Sequence, residues 1–307
     1  MLRVGTRGSK LAVTQTHEVI AKLEELGIKC EIVKIKTTGD LINDKPLVDI
    51  GGKALFLKEI EEHLISGKID MAVHSLKDVP AILPDKLVIE AVTERLPPQD
   101  VLIAHRSLEE LPIGSTIGTC AVRRKAFINH FFKDKFHIVD LRGNIDTRIE
   151  KFLSGELDGI VVAQSGIERL NLSHYITQVI PEEKMLPAIG QGVIAIECRQ
   201  DDDSIISLVK KINHRDTYDC ITAERGFMIE MGGNCKTPMA ALATIDNDYI
   251  QLRVAFAIPD GSHIFQDRIT GHRSQAHNLG VAVAQKIKSD IMKSRYFQLV
   301  KDLFEVF

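Results

Sequence analysis

Apolar and polar positions along the chain follow two rhythms. Short apolar runs of strand length recur at 2–5, 32–36, 69–73, 87–92, 101–104, 116–118, 136–140, 159–163 and 193–197. Between many of them lie stretches with apolar residues at helical spacing. Over 10–26, Ala12, Val19, Ile20, Leu23 and Leu26 fall close to one face, and Ser9 stands where the helix needs a cap. A helix opening at Gly51-Gly52-Lys53 and running to about Ile65 has Leu57, Ile60 and Leu64 as its buried stripe. Polar turns leave the strands at Thr6-Arg7-Gly8-Ser9, Thr119-Cys120-Ala121, Leu141-Arg142-Gly143-Asn144 and Gln164-Ser165-Gly166. Strand, polar turn and helix in repetition predict α/β domains whose sites lie at the C-terminal ends of strands.

Two segments break that rhythm. Residues 93–100 carry Pro97-Pro98, and 187–192 are rich in Gly and Pro. Both read as crossings between domains. If the strand at 193–197 returns to the first sheet, the first domain is discontinuous, and the two α/β domains form a hinged pair with a cleft. From about Arg215 the pattern changes to a helix over 216–231, three antiparallel strands over 240–245, 249–257 and 263–270, and a final helix over 274–292. Pro259-Asp260-Gly261 supplies a turn between the last two strands. The expected division is therefore 1–93 with 193–212, then 98–188, then a small α+β domain over 215–307. The polar stretch 37–52 reads as a mobile loop of the kind that covers a site.

Composition narrows the class. A chain of 307 residues with 44% hydrophobic and 26% charged residues fits a soluble globular protein of two or three domains. The apolar runs are too short to span a bilayer, and the first residues lack an apolar core of signal-peptide length, so neither a membrane nor secretion is expected. Cys30, Cys120, Cys198, Cys220 and Cys235 are scattered without CxxC spacing, which argues against a disulfide framework and favours a reduced, cytoplasmic setting. A net charge of −3, 5% aromatic residues and no Trp give little support to a nucleic-acid partner.

The candidate chemistry sits in the turns. Arg7, Arg123, Arg124, Arg142, Arg148 and Arg169 lie in or just after strand-to-helix turns. Helix N-termini favour anions, and a guanidinium can hold a carboxylate through two hydrogen bonds. Any one of these arginines alone reads as a solvated or salt-bridged side chain; their recurrence at equivalent turns points to a polyanion site. No GxxxxGK[ST] or GxGxxG stands at these turns, so a nucleotide has no specific support. In His74-Ser75-Leu76-Lys77-Asp78-Val79-Pro80, a carboxylate beside a lysine could steady a cation or move protons, although such a turn is often purely structural. In Gly232-Gly233-Asn234-Cys235-Lys236-Thr237-Pro238, a cysteine on a Gly-rich loop is accessible to chemistry and the adjacent lysine could favour its thiolate, although the usual fate of a free cysteine is a small buried residue. There is no HExxH, and no metal is assigned.

Taken together these motifs resemble the hydroxymethylbilane synthase (porphobilinogen deaminase) family. The match runs through Gly5-Thr-Arg-Gly-Ser-Lys-Leu-Ala12, Gly51-Gly-Lys-Ala-Leu-Phe-Leu-Lys-Glu59 and Asp70-Met-Ala-Val-His-Ser-Leu-Lys-Asp-Val-Pro80. It continues through Arg123-Arg124, Leu141-Arg-Gly-Asn144, Thr147-Arg148, Leu186-Pro-Ala-Ile-Gly-Gln-Gly192, Ala223-Glu-Arg225 and Cys235. The resemblance implies two hinged, periplasmic-binding-protein-like α/β domains with parallel-rich mixed sheets, and a C-terminal α+β domain carrying the cofactor cysteine. It implies head-to-tail condensation of four porphobilinogen molecules with release of ammonia, then hydrolysis of linear hydroxymethylbilane from a dipyrromethane primer. The primer is held by a thioether, here to Cys235.

The same resemblance distributes roles. Each pyrrole bears an acetate and a propionate, so the growing chain is a polycarboxylate. Cys235, Ser75, Lys77, Asp78, Arg123, Arg124 and Arg142 are expected around the cofactor. Arg7, Ser9, Lys53, Arg142, Arg148 and Arg169 are expected around the substrate. Asp78 is the expected catalytic carboxylate, steadying positive charge at pyrrole nitrogens in each step. A monomer without membrane or nucleic-acid partner is implied. The chain departs from the common pattern at Lys10, Asp49, Ala121 and Asn234, of which Ala121 replaces a hydroxyl residue. The competing reading is a non-catalytic, two-lobed anion-binding protein.

Overall fold

The structure is a computed structural model that describes residues 1–38, 57–233, 237–304 and 306. Lys53, Asp49, Asn234, Cys235, nearly all of the 37–52 loop and the first turn of the helix expected from Gly51 lie outside the described residues.

In chain order, β1 (Leu2–Arg7) leads into α1 (Lys10–Glu25) and β2 (Cys30–Ile35). Then come α2 (Lys58–Ile65), β3 (Met71–Ser75), a 3-10 turn over Leu76–Asp78, and β4 (Leu87–Val92). Next are β5 (Asp100–Ala104), β6 (Thr116–Gly118), α3 (Val122–Phe132) and β7 (His137–Val139). They are followed by α4 (Ile145–Leu153), β8 (Gly159–Ala163), α5 (Gln164–Arg169) and the short β9 (Gln178–Val179). The chain continues through β10 (Ile194–Arg199), α6 (Asp203–Val209) and α7 (Arg215–Glu230). It closes with β11 (Met239–Asp246), β12 (Tyr249–Ala257), β13 (Ile264–His272), α8 (Ala276–Lys293) and α9 (Phe297–Leu303).

Two compact units result: Met1–Leu96 with Gly192–Tyr218, and Pro97–Gln191 with Asp219–Phe307. The first holds a sheet of order β2-β1-β3-β10-β4. In it β1 runs parallel to β2 and β3, while β10 is antiparallel to β3 and β4. The second holds a sheet of order β7-β6-β8-β5-β9, with β6 parallel to β7 and β8 and with β5 antiparallel to β8 and β9. Place for place the two orders are the same. The strand running against the others is in each case the first after a crossing. It enters its sheet directly, without a preceding helix to reverse the chain. The fold is thus α/β with two parallel-rich mixed sheets, plus a separate antiparallel sheet of order β11-β12-β13.

Cores follow the residue pattern. In the first unit, Val19, Ile20 and Leu23 of α1 pack with Val4, Met71, Val73, Ile194 and Ile196 on one face of the sheet. Leu26, expected on the same stripe, ends the helix and is 45% exposed. Ile60 and Leu64 of α2 cover the other face, against Ile35, Ile69 and Ala72. In the second unit both faces of the antiparallel sheet are covered. Ala241, Ala243, Leu252, Val254 and Phe256 meet Phe227 of α7 and Val283 and Ile287 of α8. Ala240, Leu242, Ala255 and Ala257 meet Phe127 of α3. Phe127, Phe227 and Phe256 are almost wholly buried, each contributing about 2–3 kcal/mol by removal from water. Among the described residues no helix is long and apolar enough to cross a membrane.

Candidate active site

In the first unit, β1 and β3 lie side by side and parallel, pairing Val4 with Met71 and Gly5 with Ala72. Their C-terminal ends therefore share one edge of the sheet, bringing Arg7 and Ser9 toward the Ser75–Asp78 turn. Ser9 caps α1: its Oγ accepts a hydrogen bond from Ala12 N at 3.3 Å. The hydroxyl proton remains available to an acceptor. Ser75 Oγ donates to Oε1 of the buried Gln15 at 3.0 Å, so α1 is tied to the strand end. With its proton used there, Ser75 is left as an acceptor. The turn is held by Leu76, which is buried and whose N–H donates to Val193 O at 2.9 Å. Lys77 and Asp78 are half-buried beyond it, and Pro80 ends the turn.

In the second unit, β6 is flanked by β7 and β8, all three parallel, so three strand-to-helix turns open on one edge. The first carries Arg123 and Arg124, the second Arg142 and Arg148, and the third leads through α5 to Arg169 at its end. Arg142 is half-buried; its Nη2 is buried and has no hydrogen-bond partner among the described residues. Arg148 Nε donates to Gly143 O at 2.8 Å, which folds that guanidinium back over the same turn. Gly143 itself adopts φ +103°, which a side chain would resist. Neither α3 nor α4 has a side-chain cap among the described residues, so the first N–H groups of each face outward for an acceptor. At the head of α3 the cap residue is Ala121, whose side chain offers no acceptor.

Arg123 and Arg124 are paired with an acid that the sequence pattern did not single out. Asp100, the first residue of β5, is fully buried, with Arg123 Nη2 at 2.7 Å and Arg124 Nη2 at 2.8 Å. Arg123 Nη1 also donates to Leu186 O at 2.8 Å, and Arg124 Nη1 to Val161 O at 2.9 Å. Burial alone would raise the Asp100 carboxyl, but the two guanidiniums and the Gln191 amide outweigh it and hold it at about 2. Burial likewise pulls Arg123 below its ordinary value, against the opposing field of Asp100. Two guanidiniums facing one carboxylate leave a surplus positive charge at the head of α3. Of the two readings of this pair, the structure shows the salt bridge, and its net charge is compatible with an anion nearby.

The Ala223-Glu224-Arg225 motif also acquires a contact. Glu224 is fully buried, and its carboxylate accepts from Gly190 N at 2.9 Å and Ala243 N at 2.8 Å. It joins α7 to the 187–192 crossing and to β11. Asp100 and Glu224 are distant in sequence from the groups they hold, so no local spacing signals them.

Comparison with known proteins decides the family. The family model described as porphobilinogen deaminase, dipyromethane cofactor binding domain, matches residues 2–207, and that of the C-terminal domain matches 218–289. Porphobilinogen deaminase of Rickettsia bellii (strain OSU 85-389) is 48% identical over 269 residues, covering 86% of this chain and 89% of the relative. This chain belongs to the porphobilinogen deaminase family. The Pelotomaculum thermopropionicum member is 44% identical over 290 residues, 93% of each chain. Among solved structures, a periplasmic substrate-binding protein of an ABC transporter from Coxiella burnetii superposes with a TM-score of 0.44 at 15% identity, over 69% of this chain and 91% of its own.

The cofactor of the porphobilinogen deaminase family is a dipyrromethane, a group rich in carboxylates. The described residues fit it on their own chemistry. Arg142 offers a buried nitrogen without an acceptor, and the Arg123–Arg124–Asp100 cluster keeps surplus positive charge beside an uncapped helix.

Proposed function

We propose that this chain makes hydroxymethylbilane, joining four porphobilinogen molecules head to tail on a dipyrromethane primer with loss of ammonia at each step and final hydrolysis of the linear product. What carries the reading is the family match across residues 2–207 and 218–289. The non-catalytic receptor is not favoured, because the model matching 2–207 is that of a cofactor-binding domain.

In this reading Cys235 anchors the primer through its sulfur, and the bound group supplies a nucleophilic pyrrole carbon. The tether keeps each addition effectively intramolecular on the growing side. Arg123, Arg124, Arg142 and Lys77 neutralise the primer's carboxylates; Arg7, Ser9, Lys53, Arg148 and Arg169 receive those of the incoming substrate. Ser9 donates its hydroxyl proton to a carboxylate, whereas Ser75, already donating to Gln15, accepts from an N–H. Asp78 does the electrostatic part of the chemistry. Positive charge spreads onto the substrate's pyrrole nitrogen when ammonia leaves its aminomethyl carbon, and the bound primer would present a second such N–H to Asp78 during bond formation. A carboxylate accepting from those N–H groups lowers both barriers. The first domain (1–93 with 193–212) would carry Asp78, the second (98–188) the arginine-bearing turns, and the third (215–307) the cysteine loop. A cytoplasmic monomer without a membrane or nucleic-acid partner completes the reading.

The test is direct. Incubated with porphobilinogen, the purified chain is expected to release ammonia and hydroxymethylbilane. Its intact mass is expected to exceed that of the polypeptide by a dipyrromethane, and Cys235→Ala to lose that increment together with turnover. A turnover-competent chain with no adduct would overturn the anchoring role, and an adduct-bearing chain that consumes no porphobilinogen would overturn the reaction.

A further inference from the structure

The face of the first sheet covered by α2 holds three titratable groups that neither the anion site nor the primer requires. His74 and Glu197 are 7% and 0% exposed, and their Nε2 and Oε2 atoms are 2.9 Å apart. His74 lies on β3 and Glu197 on β10, one step apart diagonally: His74 opposes Ala195, and Glu197 opposes Ala72. The small Ala72 side chain leaves room for the carboxylate. Oε1 of Glu197 is buried and has no hydrogen-bond partner among the described residues. Glu61, on α2, is the third member and stands within the electrostatic reach of both. Burial, reinforced by the charge of Glu197 and opposed by His74, pushes its carboxyl up to about 7.

We propose that the buried His74–Glu197 pair, with the half-buried Glu61 of α2 beside it, seats α2 on β3 and β10 and thereby positions the Asp78 turn, making all three positioning residues for the condensation. This deepens the reaction proposed above and rests on it. Asp78 is four residues beyond His74, and the turn between them hangs on the β3–β10 pairing through Leu76 N to Val193 O. His74 and Glu197 clasp that pairing from the side. A protonated Glu61 adds no second negative charge beside Glu197. An ionised Glu61 instead places two carboxylates against one imidazole in a poorly solvated site, which weakens the seat.

The other charged groups around α2 are engaged elsewhere. On β1, Arg3 pairs with Asp70 at 2.6 Å, and Arg7 closes the strand at the site edge. At the end of β10, Arg199 binds Leu64 O, Ile69 O and Asp202. On α2 itself, Glu59 binds Thr38 N at 2.9 Å, His63 contacts Glu59 O at 2.6 Å, and Lys58 and Glu62 are exposed. The remaining charges on either side of β3 are Asp70 before it and Lys77 and Asp78 after it.

The sign follows from linkage. A carboxyl raised from 4.5 to about 7 on folding contributes stability that is present below 4.5 and lost as pH rises through 7. The experiment compares the parent chain with Glu61→Gln, which is uncharged at every pH, by melting temperature and by kcat and KM between pH 5.5 and 8.5. The parent's melting temperature and kcat are expected to fall across pH 7 relative to Glu61→Gln, whose profiles lack that step. His74→Ala is expected to lower kcat about tenfold with KM within about twofold, and His74→Gln, which restores an N–H near the Nε2 position, to recover most of it. If His74→Ala does not fold, Glu61→Gln decides alone. Superimposable profiles for parent and Glu61→Gln, or equal kcat for the two His74 variants, would overturn the seat. A parent that folds but consumes no porphobilinogen would overturn the reaction instead, and the melting curves would still decide whether the seat exists.

Discussion

Arg124 grips Asp100 twice: Nε donates to Oδ1 at 3.0 Å and Nη2 lies 2.8 Å from the same oxygen, with both side chains under a tenth exposed. Arg123 takes the other oxygen at 2.7 Å. Removing the carboxylate leaves two buried guanidiniums facing each other without compensation. Asp100→Asn is therefore expected to destabilise the chain by about 3–5 kcal/mol, read as a lowered urea midpoint with unchanged slope. An unaltered midpoint would mean that backbone carbonyls of Leu186 and Val161 suffice to hold the pair.

The same contact sets an acid limit. The Asp100 carboxyl is held at about 2, below its ordinary 3.8. Its contribution to stability is complete above pH 3.8 and lost as pH falls through 2, and amounts to about 2 kcal/mol for a shift of this size. The parent is expected to lose stability over that window more steeply than Asp100→Asn, which carries no ionisable group there. Equal acid limbs would assign the loss to other carboxylates.

Much of this architecture is legible in the residue pattern, because strand length, turn chemistry and helical spacing are local. β4, β6, β8 and β12 occupy the stretches the pattern marks, and Ser9 caps α1 as its position suggests. The return of β10 to the first sheet is also foreshadowed by the two Gly/Pro-bearing crossings. What escapes is tertiary. The reversed direction of β5 and β10 depends on how each crossing enters its sheet. The short α6 and α9 are too brief to set up a periodic stripe. His74 and Glu197 are 123 residues apart, and Arg124 and Asp100 are 24 apart, so no spacing rule links them. Arginines were legible as a recurrent feature of turns; that two of them share a buried acid was not.

Ala121 offers a local test of the anion edge. It occupies the cap position of α3 with extended backbone and no side-chain acceptor. Ala121→Ser supplies one, and is expected to raise stability by about 1 kcal/mol in the ligand-free chain. A hydroxyl that caps the helix competes with an incoming carboxylate for the same N–H groups. KM for porphobilinogen is accordingly expected to stay level or rise while the melting temperature increases. A lowered melting temperature would show that the turn before α3 cannot accommodate the cap.

Gly192 begins the return from the second crossing with φ +89°. Its carbonyl accepts from Leu96 N at 3.2 Å, and a Cβ at this position would press into the Leu96 carbonyl oxygen and Arg95 Cγ. The Arg95 side chain can move aside, but the Leu96 backbone cannot yield in the same way. Gly192→Ala is expected to cost about 2 kcal/mol or more, measured by thermal unfolding. A neutral substitution would imply that the two crossing strands move apart at little cost.

In the proposed reaction, Asp78 would serve the chemical steps and not binding. A carboxylate whose work is to balance charge that develops only during ammonia loss and carbon–carbon bond formation contributes little to holding the uncharged pyrrole ring of the resting substrate. Asp78→Asn keeps the shape and most hydrogen bonds but removes the charge. It is expected to lower kcat about a hundredfold or more while KM changes by no more than a few-fold. Asp78→Glu keeps the charge at a displaced position and is expected to fall between the two. The measurement is steady-state turnover with primer content checked by intact mass, since a variant that cannot assemble its primer would lose kcat for a different reason. If Asp78→Asn carries a full complement of primer and turns over like the parent, the charge that stabilises the cation lies on another residue.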